Sequence, residues 1–244
     1  MRLKRKIVLV TGASRGLGLA ISKAFAAEGA AVAMLARNAA DLARVAKEVG
    51  GLPIVCDVSN PEDVRSGFGQ VQAHFGGLDI LVNNAAVGHP QPIEEAADDL
   101  VQSEVEVNLL GPLYCMRAAI PMLRARGGGD IVNVTSEAVL DPYPFLGLYA
   151  ATKSALETLS TAVRNEVSDT DIRVTVYRSG QVNGTFSRDW APTMAERART
   201  AAKAAGFYER AGERITVEVA ASHILKLVLL DRTVRIDLAE PGDN

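Results

Sequence analysis

Cysteine is scarce in this chain, and so are long apolar runs and any strong excess of one charge. The 244 residues hold two cysteines. Cys56 and Cys115 lie far apart in apolar contexts and fit no disulfide framework or metal-ligand spacing. A reducing compartment is therefore the expectation, with the cytoplasm as the location. The opening MRLKRK is basic like the start of a secretion signal, yet only IVLV follows it before Thr11 and Gly12. That is short of the roughly 7–15 apolar residues an export signal carries. No later stretch approaches the ~20 apolar residues of a membrane-spanning helix. A formal net charge of −3 gives no attraction to nucleic acid or to an anionic membrane, so neither is expected as a partner. No linker, repeat or low-complexity stretch divides the chain.

What is present is a steady alternation. With 48% hydrophobic and 23% charged residues, the composition suits a soluble globular protein with a sizeable core. KIVLVTG, AAVAMLAR, PIVCDV, LDILVNNAA, GDIVNVTS and IRVTVYRSG read as six apolar strands. Between them lie helical patterns, the longest running from about Asp98 to Arg126 and another over YAATKSALETLSTAVRNEV. Strands that are apolar throughout, separated by helices, imply a sheet covered on both faces. The expected fold is α/β: one doubly wound Rossmann-type domain over 1–244, its sheet mostly parallel with helices on both faces.

Two patterns carry chemistry. The first strand runs into Thr11-Gly12-Ala13-Ser14-Arg15-Gly16-Leu17-Gly18 and then a helix. Glycines there let backbone approach a pyrophosphate, and the free N–H groups of the helix start meet its charge. The spacing is GxxxGxG, not GxGxxG. The second pattern is Tyr149 with Lys153 four residues on, one turn apart on a helix. An ammonium beside a phenol favours the tyrosinate and lowers its pKa from about 10, which makes a usable proton donor. A half-buried tyrosine beside a snorkelling lysine has the same spacing.

TGASRGLG, Asn83-Asn84-Ala85-Ala86, Ser136 and Tyr149-x-x-x-Lys153 together resemble the short-chain dehydrogenase/reductase family, 3-oxoacyl-acyl-carrier-protein reductase-like members among it. The resemblance runs from Lys6 to about Thr185. It implies that Tyr149 is the general acid/base, that Lys153 tunes it and holds the nicotinamide ribose, and that Ser136 bonds the substrate oxygen. It implies, too, that Asn108 maintains a water relay from Lys153. Ser136 equally suits a turn after IVNVT, and Asn108 a helix kink near Gly111-Pro112. The same resemblance gives Gly12, Ser14, Arg15, Gly16, Leu17, Gly18, Asp57, Val58, Asn84, Ala85, Ala86, Val182 and Thr185 as cofactor contacts. Ala86 stands where the family usually has glycine, and Ser179-Gly180 where it usually has Pro-Gly.

Cofactor choice follows from charge. The place of the acid that holds a ribose 2′-hydroxyl is taken by Ala36, and Arg37 follows it. Arg15 and Arg37 would flank a 2′-phosphate, whereas Asp41 reads as a first-turn helix acid. The cofactor expected is NADP(H), and the substrate a small-molecule carbonyl or alcohol.

Residues 186–214 break the alternation and read as a substrate lid. Arg188, Arg197, Arg199, Arg210 and Arg214 alternate there with Asp189, Glu196, Glu209 and Glu213, which suggests a solvated mixed face. Trp190 and Phe207 suit either a substrate wall or plain packing, and His89 sits at the same rim. VRIDL is expected as a last strand. Apolar faces on the helices of Asn108 and Tyr149 imply, by resemblance, a homo-oligomer, dimer or tetramer. The alternative to an enzyme is a sensor or scaffold of the same fold that binds NADP(H) without turnover.

Overall fold

The computed structural model describes residues 1–210, 213–231, 233–234 and 236–241. Strand β1 (Ile7–Thr11) is buried at every position, as a central strand covered on both faces must be. It leads into α1 (Gly16–Ala27), then β2 (Ala31–Ala36), α2 (Ala39–Val49), β3 (Leu52–Val55), α3 (Pro61–Phe75) and β4 (Ile80–Asn83). Side chains start two of these helices. Asn38 accepts the Asp41 N–H at 2.9 Å, and Asn60 accepts the Glu62 N–H at 2.9 Å with Pro61 at the first helical position.

The long helix expected over 98–126 is divided. α4 (Asp98–Val105) passes into a π-helical turn (Glu106–Leu110) and then α5 (Gly111–Ala125). The Gly111 N–H reaches back to the Glu106 carbonyl, five residues rather than four. Pro112, which has no N–H to give to the preceding turn, is the second residue of α5. Next come β5 (Gly129–Ser136), α6 (Gly147–Glu166) and β6 (Ile172–Ser179). The region expected to be a lid follows, with β7 (Val182–Asn183), α7 (Pro192–Ala204), α8 (Phe207–Arg210) and β8 (Ile215–Thr216). The chain closes with α9 (Val217–Leu229) and β9 (Leu238–Ala239).

The main sheet runs β3-β2-β1-β4-β5-β6-β9, and every pairing in it is parallel. β5 and β6 pair from Gly129↔Ile172 to Ser136↔Ser179, which sets Ser136 at the carboxyl edge. One core lies under α3, α5 and α6 and includes Phe68, Met116 and Leu156. The other, under α1, α2 and α9, includes Phe25, Leu42 and Ile224. Each such fully buried side chain contributes about 1.5–3 kcal/mol. The order turns back between β1 and β4, and that crevice is where ligands of such sheets bind.

The last strand is a correction. VRIDL is expected to be it, but the paired residues are Leu238 and Ala239, against Val176 and Tyr177; Arg235 lies outside the described residues. Side chains fasten this edge where the ladder is short. The Arg164 guanidinium donates to the carbonyls of Val174 and Asp237, and Thr175 Oγ1 to that of Ile236.

Candidate active site

A cavity of about 1060 Å³ opens at the carboxyl ends of the strands, from Arg37 at one end to Phe207 at the other. Its first wall is the turn after β1. Gly12 and Gly16 hold φ of +66° and +54°, a region costly for residues with a Cβ. A Cβ on Gly12 would come within 2.9 Å of the Ala85 Cα, and one on Gly18 within 2.2 Å of the Gly12 carbonyl oxygen. The turn is thus packed backbone on backbone. α1 begins with no side-chain cap and no acid in its first turn, so the positive end of the helix is left for an anion. Ser14, Arg15 and Leu17 line the cavity at this turn.

The exit of β4 is tied to the exit of β1. The Thr11 hydroxyl accepts the N–H groups of Asn84 and Ala85, each at 3.0 Å, and the Asn84 amide donates to the Thr11 carbonyl at 2.9 Å. Asn84 therefore braces the crevice. Ala86 packs on the small cluster of Ala138, Leu146, Tyr149 and Ala150.

Asn108 is fully buried in the π turn. It holds Val87 from both sides, accepting its N–H at 2.9 Å and donating to its carbonyl at 2.8 Å, and reaches Thr152 on α6 at 3.2 Å. One amide thereby fixes three elements. The kink and the tie belong to the same residue.

Tyr149 and Lys153 are buried on α6. Lys153 Nζ stands 5.7 Å from the Tyr149 ring centre and donates to the Val134 carbonyl at 2.9 Å. The expected lowering of the tyrosine pKa is not what this geometry gives. Burial pushes Tyr149 up to about 12, with Ser136 pulling it back and the Glu104 carboxylate adding to the rise. Burial also brings Lys153 down to about 8. Loss of hydration acts on both groups against their charged forms, and sequence spacing says nothing of it. Tyr149 consequently keeps its proton through the neutral range. Ser136 lines the cavity beside it and also accepts the Ala138 N–H at 3.2 Å, so the turn role and the site role coexist.

Arg15 and Arg37 line the same end of the cavity, each facing a carboxylate. Arg37 is 3.9 Å from Asp57, and Arg15 pairs with Asp189 of the lid. Asp57 also accepts the Ser59 N–H and hydroxyl at 3.0 and 2.7 Å, while Val58 is buried against Gly111. Asp41 pairs with Arg44 at 3.8 Å, as a first-turn acid would. Val182 lines the cavity, and Thr185 Oγ1 lies 2.8 Å from where a Gly16 Cβ would stand.

The segment from Phe186 onward packs on this floor through aromatic rings. Phe186 packs on Tyr149 with ring centres 4.9 Å apart, and Trp190 donates its indole N–H to the Gly88 carbonyl at 2.7 Å. Phe207 is buried against Tyr143, 4.9 Å between centres, and Tyr143 shares a 2.9 Å hydroxyl hydrogen bond with Tyr208. Trp190 and Phe207 thus both pack and line the cavity. Several lid arginines do form a mixed face. Arg197 grips Glu95 with two bonds of 2.6 Å, and Arg199 pairs with Glu196 at 2.7 Å. The side chains of Glu209 and Arg210 lie outside the described residues. Sequence reasoning missed Thr11, Gly88 and Glu104; the first stood inside the quoted glycine motif, and the other two gave no signal.

Residues 6–195 match the short chain dehydrogenase family. This chain belongs to that family. The short-chain dehydrogenase is 34% identical over 187 residues to galactitol 2-dehydrogenase of Agrobacterium fabrum, across 75% of this chain and 73% of that one. Among solved structures it resembles L-sorbose reductase of Gluconobacter frateurii, complexed with NADPH and L-sorbose, with TM-score 0.85 and 28% identity over 100% and 98% of the two chains. It resembles likewise the 3-ketoacyl-(acyl-carrier-protein) reductase of Brucella melitensis complexed with NADH, with TM-score 0.84 and 28% identity over 98% and 97%. No helix among the described residues is long and apolar enough to cross a membrane.

Proposed function

We propose that this short-chain dehydrogenase is an NADP(H)-dependent carbonyl reductase and alcohol dehydrogenase with Tyr149 as its general acid/base. The observation that carries the reading is a buried, protonated Tyr149 beside Ser136 and Lys153, in one cavity with the glycine turn. The turn suits a dinucleotide, because Gly12, Gly16 and Gly18 clear the backbone that a Cβ would block. Gly12, Ser14, Arg15, Gly16, Leu17, Gly18, Asp57, Val58, Asn84, Ala85, Ala86, Val182 and Thr185 would hold it, with Lys153 at the ribose. Arg15 and Arg37 would take a 2′-phosphate in exchange for the carboxylates they face. NADPH is bound in the L-sorbose reductase and NADH in the 3-ketoacyl reductase, so the relatives leave the choice to these arginines and to Ala36. A bound reduced nicotinamide would supply the hydride.

The chain's own residues handle the oxygen. Ser136 Oγ and the Tyr149 hydroxyl donate to the substrate carbonyl, where negative charge develops. Tyr149 then gives up its proton to that oxygen. The phenolate left behind is stabilised by the Lys153 ammonium, and Asn108 keeps the adjoining backbone in place for a water path that restores the proton. In oxidation the same hydroxyl, once ionised, takes the proton back.

Tyr149→Phe tests this directly. It removes one oxygen and keeps the ring against Phe186. Turnover of a ketone panel with NADPH is expected to fall by about 10²–10⁴-fold while NADPH affinity, read by fluorescence titration, stays within about twofold. Equal turnover in both proteins would sink the mechanism. NADPH binding by wild type without turnover of any carbonyl or alcohol would favour the sensor.

A further inference from the structure

Only one side chain of α4 is fully buried, and it is an acid. Glu104 is 1% exposed, an expensive place for a carboxyl unless it is bonded. Its Oε1 accepts the His89 backbone N–H at 2.6 Å and stands 3.4 Å from the Nδ1 of the same residue. Oε2 and Nδ1 have no hydrogen-bond partner among the described residues. His89 lines the cavity beside Gly88, and Gly88 carries the carbonyl that Trp190 holds. Glu104 is close enough to Tyr149 for its charge to bear on the phenol.

We propose that Glu104 is a positioning residue that fixes the tautomer and the seat of His89, and that His89 is a specificity residue hydrogen-bonding a substrate hydroxyl next to the reacting carbonyl. The inference rests on the reductase reading. Its reasoning is one of donor and acceptor. Oε1 already receives the His89 N–H, so it is an acceptor whether or not the carboxyl is ionised. An acceptor oxygen 3.4 Å from Nδ1 favours the proton on that nitrogen through its negative charge, short of a formed hydrogen bond. Nε2 is then left with a lone pair, and no hydrogen bond engages it among the described residues. His89 lines the cavity, and a free lone pair on its ring calls for a donor. A simple ketone has none, whereas a ketone with a neighbouring hydroxyl does. Burial pushes the Glu104 carboxyl upward and the His89 contacts pull it back, and in either form Oε1 keeps its acceptor role.

The probes are 3-hydroxy-2-butanone and 2-butanone, which differ by that hydroxyl. With NADPH, wild type is expected to favour the hydroxy ketone in kcat/KM by about tenfold, the scale of one satisfied hydrogen bond. His89→Ala should remove most of this preference, chiefly through KM. Glu104→Leu should do the same; Glu104→Gln, nearly the same shape with an acceptor retained, should restore part of it and guards against a folding defect. The two ketones are also titrated calorimetrically against the enzyme loaded with NADP⁺, where no reduction can occur, and NADPH absorbance is followed so that any oxidation of the hydroxy ketone counts as turnover. A binding preference that His89→Ala abolishes, without turnover in any protein, would keep the contact and sink the reductase reading. A wild type without preference, or equal losses on both ketones in His89→Ala, would overturn the proposal.

Discussion

At the Gly12–Gly18 end of the cavity the wall is backbone against backbone, whereas at the Phe186–Arg210 end it is side chains reaching across the chain. Gly18 has no room for a single carbon beside the Gly12 carbonyl. The lid, by contrast, is joined to the floor by Trp190 to Gly88 and by Arg197 to Glu95, pairs 102 residues apart in sequence. The first arrangement is rigid and intolerant. The second can be loosened one contact at a time, which suits the lid role proposed for it. A cavity that binds one constant partner and one variable partner is reasonably built from both.

The contrast can be broken hardest at Gly18. Gly18→Ala should lower stability by about 3 kcal/mol, the upper end of overpacking costs, and abolish NADPH binding; an unchanged melting temperature would refute the tight turn. Lys153 gives the next effect, because it belongs to neither wall but to the buried floor between. Its native pKa of about 8 lies below the ordinary 10.5, so above pH 8 the unfolded chain binds the extra proton and stability rises. Relative to Lys153→Met, urea unfolding should show a gain of up to about 3 kcal/mol between pH 8 and 10.5. Below pH 8 the difference should be flat. A difference without slope across that window would contradict the buried amine. A smaller change is expected from Arg37→Asp, which should weaken NADPH by about 10–100-fold and NADH far less, measured by titration; equal losses would refute the phosphate assignment. Arg197→Ala should be mildest. Its pair with Glu95 is exposed and screened by water, so thermal unfolding should barely move, and a large drop would mean this segment is as rigid as the turn.

The sequence made the turn end legible and the lid end illegible for the same physical reason. Glycine spacing, the strand–helix alternation and Tyr149-x-x-x-Lys153 are local patterns, and β5 falls over 129–136 as the pattern predicts. The partners of Trp190, Arg197 and Tyr143 are distant, and no periodicity announces them. Glu104 reads in sequence as one more helical acid, because its burial is decided by what packs on α4. The direction of the Tyr149 shift was missed likewise: spacing reveals the neighbouring ammonium but not the loss of water around both groups. The shortened last strand has a similar origin, since the guanidinium and hydroxyl that hold it come from α6 and β6.

The π turn at Glu106–Leu110 has one more consequence, which is a matter of phase. A residue added to a helix turns everything after it by about 100° about the axis. The wide turn therefore sets the angular position of α5 relative to α4, and with it two faces at once. Upstream, Glu104 faces His89; downstream, Gly111 meets Val58 and Cys115 enters the core. Removing one residue between 106 and 110 would restore an ordinary helix, yet it would leave only one of those faces correctly aimed.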